Sequence, residues 1–162
     1  MKYLLTLCLS VLMLSCATKS SSEYAKIQYE AGACFGFCPI FTMTINPDRT
    51  AVIDAQHFTF SKGNSKDEFS QPKEGIFKAT ITEAEYNKMI TLLNGANLKS
   101  LNDEYINRNI SDLPTAFLRV DFSDGTKKNI QDYGKNGTPK LKEIYTFMES
   151  LRETQKWEKV NP

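Results

Sequence analysis

The chain has 162 residues, 24% charged and 41% hydrophobic, which suits one globular domain with a real core and excludes a disordered polymer. Its 20 Lys and Arg stand against 19 Asp and Glu, and Met1–Ser15 contains one of those bases, Lys2, and no acid. A chain cut after Ser15 is therefore neutral, with no global field to draw nucleic acid or anionic lipid, and nucleic acid is set aside as a partner.

Residues 1–15 read as a secretory signal: Lys2, then an apolar run shorter than the about 20 residues needed to span a bilayer. The run ends in Met13-Leu14-Ser15-Cys16, which resembles the lipobox of bacterial lipoproteins, with Met13 where leucine is usual. The resemblance implies cleavage before Cys16, acylation of that cysteine and anchoring to a membrane by more than one acyl chain. Residues 16–24 then form the lipidated cysteine and a small, polar, flexible tether. The tether carries no acidic residue up to Ser22, from which we expect an outer-membrane site facing the periplasm. Cys8 leaves with the signal, so Cys34 and Cys38 are the remaining thiols, in an oxidising compartment.

The single domain expected over 25–153 begins with a short strand at Ala25–Glu30. Ala31–Pro39 is a loop, and Ile40–Ile45 alternates with Phe41, Met43 and Ile45 on one face. Asn46–Arg49 is turn chemistry, and Thr50–Phe60 returns as the second strand of a hairpin. Ser61–Glu74 reads as a polar surface loop. Gly75–Ile81 is a fourth strand, with Phe77, Ala79 and Ile81 on one side. Thr82-Glu83-Ala84-Glu85 is a capping box for a helix carrying Tyr86, Met89, Ile90 and Leu93, with Gly95 as its stop.

Leu98–Pro114 reads as an irregular connection anchored by Leu101 and Tyr105. Ala116–Phe122 alternates with Ala116, Leu118, Val120 and Phe122 inward, Ser123–Thr126 is a hairpin turn, and Lys127–Tyr133 is the return strand. Thr138 and Pro139 open a second helix with the apolar stripe Leu141, Ile144, Tyr145, Met148 and Leu151. Residues 154–162 read as a polar tail with Trp157 as its apolar anchor. The expected fold is α+β: a mostly antiparallel sheet of hairpins, order β-β-β-β-α-β-β-α, with two helices packed on one face. A faint internal repeat pairs the Asp48-Arg49-Thr50 turn with Asp124-Gly125-Thr126.

The chemistry available is sparse. His57 is the one histidine, and it lies within an alternating strand. No phosphate-binding glycine loop or Gly-x-Ser-x-Gly elbow occurs, so no catalytic constellation emerges. Asp103, Glu104, Asp112, Asp121, Asp124 and Asp132 fall in loops and outward strand positions and read as solvated surface. Hydrolysis by carboxylates alone has no motif behind it.

The concentrated signal is Ala33-Cys34-Phe35-Gly36-Phe37-Cys38-Pro39-Ile40-Phe41. This segment resembles the signature of a family of uncharacterised bacterial envelope lipoproteins, defined by a domain of unknown function with Ala-Cys-Phe-Gly-x-Cys-Pro-x-aromatic near its start. The likeness runs from about Lys26 to Leu151 and implies a cell-envelope placement and this order of elements, but no activity or catalytic residue.

Three readings of the motif stay open. A structural disulfide joins Cys34 to Cys38, with Gly36 letting the loop fold back. Alternatively the pair binds a soft metal such as copper(I), as in the similar Cys-x-x-x-Cys-Pro motif of thioredoxin-like copper chaperones, with His57 or Met43 as a third ligand. Or the pair is redox-active, for which the neighbouring aromatics provide no cation to lower a thiol pKa. Phe35, Phe37, Phe41, Phe58 and Phe60 crowd this region. The simplest expectation packs them as core beneath the loop; the alternative turns Phe35 or Phe37 outward as a partner-binding hot spot. Together these features point to a lipid-anchored, non-enzymatic module that binds an envelope protein and carries no cofactor beyond the lipid on Cys16. The rival is a thiol-dependent metal or redox protein centred on Cys34 and Cys38.

Overall fold

The computed structural model describes residues 22–61, 74–106 and 111–161. Four strands come first: β1 (Tyr24–Ala31), β2 (Ile40–Ile45), β3 (Thr50–His57) and β4 (Gly75–Thr80). Helix α1 (Glu83–Ala96) and a 3-10 turn at Leu98–Ser100 lead into β5 (Glu104–Tyr105), β6 (Thr115–Phe122) and β7 (Lys127–Tyr133). Helix α2 (Pro139–Thr154) and β8 (Glu158–Lys159) complete the described chain. The strands form one sheet in the order β5-β7-β6-β1-β2-β3-β4-β8, antiparallel throughout except for the β5–β7 pair. The fold is α+β, with strands followed by a helix, then strands and a helix.

Alternation decides which face is covered. Ile27, Tyr29, Met43, Ile53, Leu118 and Ile130 project to one side and are fully buried. Helix α1 lays Tyr86, Met89 and Leu93 on that side, and α2 adds Leu141, Ile144, Tyr145, Met148 and Leu151. Thr82 and Thr138 cap the two helices, accepting from the amides of Glu85 and Leu141. The opposite face carries Lys26, Gln28, Glu30, Thr42, Asp54 and Arg119, and no element among the described residues covers it. Arg119 reaches Glu30 at 2.7 Å and Lys26 reaches Asp121 at 3.1 Å, so cross-strand pairs keep this face soluble.

Several boundaries differ from the sequence pattern. Strand β3 ends at His57 instead of Phe60, because Phe58 takes a positive φ of 50° and Ser61 closes a turn onto its carbonyl at 3.0 Å. Helix α1 runs past Gly95 and stops at Asn97, whose φ of 48° and ψ of 58° are left-handed values that asparagine tolerates. The connection before β6 contains the two-residue strand β5, which pairs with Gln131 and Asp132. The tail expected from residue 154 onward includes β8, whose Glu158 and Lys159 pair with Lys78 and Phe77 on the β4 edge. Trp157 holds it there by donating its indole N–H to the Leu151 carbonyl at 3.1 Å. Residues 1–21, which hold the signal and lipobox assignments, lie outside the described residues, as do 62–73 within the expected polar loop.

Topology sorts the connections into two ends. The Asn46–Arg49 and Ser123–Thr126 turns sit at the end where β1 begins, beside Tyr24. In both, the Asp side chain accepts from the Thr backbone N–H at 2.9 Å, so the same Asp-x-Thr device closes both hairpins. The connections after β1, after β3, before β6 and after β7 lie at the other end, whereas β4 ends beside the Asn46–Arg49 turn and passes there into α1.

Candidate functional site

Strand β1 delivers the Cys34–Cys38 loop to the long-loop end. Because β1 pairs with β2 up to Ala31 and Phe41, Gly32–Pro39 is a hairpin loop that projects beyond the sheet. Gly32 donates its N–H to the Thr115 carbonyl at 2.8 Å, tying the loop base to β6. The Cys34 and Cys38 sulfurs are at disulfide distance, with Cα atoms 5.7 Å apart. Gly36 sits between them with φ of 137°, a conformation that side-chain-bearing residues rarely adopt.

The loop turns two aromatic rings outward. Phe35 is 91% exposed and Phe37 65% exposed. Only Phe41 of the five phenylalanines is fully buried, and Phe58 and Phe60 are half-buried. The expectation that all five pack as core is therefore corrected for Phe35 and Phe37. The physical reason is the hairpin: alternation places Phe41 under the sheet, whereas the loop extends past the last strand pair and past the reach of the helices. Phe37 meets the Phe58 ring edge-on at 5.5 Å, and Phe58 is presented by the same left-handed turn that ends β3. Thr59 donates its hydroxyl to the Ile40 carbonyl at 2.9 Å, and Arg152 of α2 donates to the Thr59 carbonyl at 2.9 Å. These bonds brace the loop's second leg against the helical layer.

The ligand set Cys34, Cys38 and His57 is not brought together. Among the described residues no group of three or more His, Cys, Asp or Glu side chains is arranged to hold a metal ion. His57 instead sets Nδ1 3.4 Å from a Glu74 carboxylate oxygen on the neighbouring strand edge, and it is more than half exposed. Cysteines whose sulfurs face each other at bonding distance also present no pair of thiolates outward.

A second polar cluster lies beneath the sheet at the same end. Asp132, read from sequence as an outward surface acid, is 1% exposed. Its carboxylate accepts from the backbone N–H of Asn136 at 3.1 Å and of Gly137 at 2.8 Å, shaping the turn that starts α2. Gly137 has no room for a side chain: a Cβ there would stand 2.4 Å from the Tyr105 ring and 2.8 Å from Asp132 Oδ2. The sequence did hold the signal, since the period of two that buries Ile130 also turns Asp132 inward.

Beside it, Tyr29 and Tyr145 stack with ring centroids 5.7 Å apart. Tyr29 donates its hydroxyl to Glu149 at 2.6 Å, and Lys135 pairs with the same carboxylate oxygen. The Tyr145 hydroxyl is buried beside the Asp132 carboxylate without a well-formed hydrogen bond to it. Burial, reinforced by Glu149 for Tyr29 and by Asp132 for Tyr145, pushes both phenols far above the ordinary tyrosine value. Both keep their protons at physiological pH, so neither is a poised base or nucleophile. The cluster is structural, and it makes unequal expectations for two similar substitutions. Tyr29→Phe loses a bond to a charged acceptor and is expected to cost about 1.5 kcal/mol in urea unfolding. Tyr145→Phe removes a hydroxyl whose approach to Asp132 is poorly formed, and it is expected to cost less than about 0.5 kcal/mol. Equal losses for both would contradict this assignment of partners.

The comparisons with known proteins place the chain without assigning it an activity. No curated protein matches it. Over residues 25–152, from the start of β1 to the last turn of α2, it matches a family described as a domain of unknown function, DUF6438, and it belongs to that family.

Proposed function

We propose that this chain is a lipid-anchored cell-envelope protein, held by acylated Cys16, and a non-enzymatic module whose Cys34–Cys38 loop binds an envelope protein partner. The observation that carries the binding role is the outward display of Phe35 and Phe37 on a loop closed at both legs. A ring left this exposed contributes little to folding, yet its burial against a partner is worth about 1.5–3 kcal/mol. Holding two such rings on a short closed loop lowers the ordering cost of association.

The placement of the loop favours a protein over the anchoring membrane as its target. The tether enters at Ser22, where Ser123 donates its hydroxyl to the Ser22 carbonyl and the Ser22 and Tyr86 hydroxyls meet at 3.4 Å. Strand β1 then carries the chain over eight residues, about 25 Å, before the loop begins. Ser22, from which the tether leads back to Cys16, and the aromatic tip are at opposite ends of the sheet, so an upright domain presents the tip away from its own bilayer. The absence of acid between Cys16 and Ser22 supports an outer-membrane site facing the periplasm.

The test is intact mass of the full-length chain after production in its native envelope, before and after thiol alkylation under denaturing conditions. The expected species begins at Cys16, carries acyl mass on that residue, and resists alkylation at Cys34 and Cys38 until reduced. A mature chain without acyl mass would remove the anchor. Two free thiols would remove the closed loop and bring the soft-metal reading of Cys34 and Cys38 forward.

A further inference from the structure

Helices α1 and α2 lie side by side over the sheet, and their outer surfaces leave an open groove of about 580 Å³ between them. Its walls are Leu92 of α1 and Pro139 and Phe147 of α2, with Lys88 and Lys142 at the rim. The volume lies within the range of about 300–1,000 Å³ typical of small-ligand sites. Lys88 sets its ammonium 5.1 Å from the Phe147 ring centroid, so the aliphatic stem of a lysine already roofs part of the apolar floor. The rim's one acid in this stretch, Glu143, is paired with Lys140 at 3.3 Å, which leaves the groove apolar with a cationic margin.

We infer that this groove receives an acyl chain of the molecule's own lipidated Cys16. The inference rests on the anchor reading above. Reach is its geometric support. The described chain starts at Ser22, which packs against Tyr86 on α1, the helix that forms one wall of the groove. Six peptide steps separate Ser22 from Cys16, which extended span about 20 Å. On α1, Tyr86 precedes the groove residues Lys88 and Leu92 by two and six positions, about 3 and 9 Å along the helix axis. A tether of that length brings the thioether of Cys16 to the groove mouth, from which an acyl chain lies along Leu92 and Phe147. The carbonyl ends of the acyl groups then face the ammonium groups of Lys88 and Lys142. A chain seated this way is shielded while the protein is outside a bilayer, and the larger apolar volume of a membrane withdraws it on arrival.

The experiment uses the full chain, lipidated in cells fed an alkyne-tagged palmitate, purified and then freed of detergent. A p-benzoylphenylalanine is placed at Thr146, an exposed groove position, or at Asp54 on the open sheet face as control. Irradiation followed by trypsin is expected to join the tagged Cys16–Lys19 lipopeptide to Glu143–Arg152, several-fold above the control. Mixing isotope-labelled and unlabelled protein distinguishes a chain's own lipid from that of a second copy. Acylated Cys16 with no excess adduct at Thr146 overturns the groove inference and leaves the anchor standing. An adduct carrying a free phospholipid, or one formed between copies, also overturns it. A chain with no acyl group on Cys16 removes both the anchor and this inference, and the mass of the uncrosslinked protein reports that separately.

Discussion

Asp132→Ala is expected to lower the unfolding free energy by about 3 kcal/mol, since two backbone bonds to a charged acceptor, each worth about 1.5–3 kcal/mol, are lost together. Both donors, the amides of Asn136 and Gly137, lie in the turn before α2 and would be left without the carboxylate that accepts from them. The turn cannot relax easily to find others, because Gly137 lies against the Tyr105 ring. Asp132→Asn keeps one carbonyl acceptor of the same shape and is expected to recover about half of the loss. Urea unfolding of the full chain, followed by circular dichroism, measures the series. A cost for Asp132→Ala of less than about 1 kcal/mol, the scale of a typical exposed substitution, would show that Asp132 is not what holds the start of α2.

The second large effect concerns binding instead of folding. Phe35→Ala with Phe37→Ala is expected to cost no more than about 1.5 kcal/mol of stability, the edge-on contact of Phe37 with Phe58, because the two rings are otherwise 91% and 65% exposed. The same pair is expected to weaken partner binding by a factor on the order of 100 to 1,000, from two aromatic anchors worth about 2 kcal/mol each at a hot spot. The measurement is a concentration series of wild-type and doubly substituted protein against solubilised native envelope, with a p-benzoylphenylalanine at Phe35 identifying what lies within reach. No specific adduct at Phe35, or equal retention by both proteins, would sink the partner-binding role of the loop. Cys34→Ser with Cys38→Ser separates display from scaffold. Opening a five-residue loop is expected to cost about 2 kcal/mol of stability on the chain-entropy account. Partner affinity is also expected to fall, because the partner must then order the loop.

Much of this domain is legible from local rules, and particular residues show why. Phe41, Met43 and Ile45 alternate and are buried, and the 127–133 return strand has the bounds its turn residues imply. Thr82 and Thr138 accept hydrogen bonds at the helix starts that their capping patterns announce. These are contacts between residues a few positions apart, so a linear pattern contains both partners. The failures share the opposite property. Strand β8 exists because Glu158 and Lys159 find an open edge on β4, some eighty residues earlier in the chain. Strand β5 exists because Glu104 and Tyr105 lie beside β7, and no periodicity can be read in two residues.

The candidate site divides in the same way. The spacing of Cys34, Gly36 and Cys38 announces a tight loop, and the α-carbon separation of 5.7 Å agrees with it. Whether Phe35 and Phe37 face the core or the solvent depends on where β1 and β2 stop pairing and on how far the helices extend over the sheet. Neither is encoded near the phenylalanines. That Ser22 and the aromatic tip stand at opposite ends likewise emerges only once β1 is placed at the centre of the sheet, with the Cys34–Cys38 loop beyond its far end. Sequence alone determined what short-range chemistry controls: alternation, caps, turns, the α+β order and the cysteine loop. Tertiary structure alone decided burial and exposure at loop positions, the backbone partners of the Asp132 carboxylate, the edge strands and the groove between the helices. Each of these is set by groups distant in sequence that become neighbours only when the sheet closes.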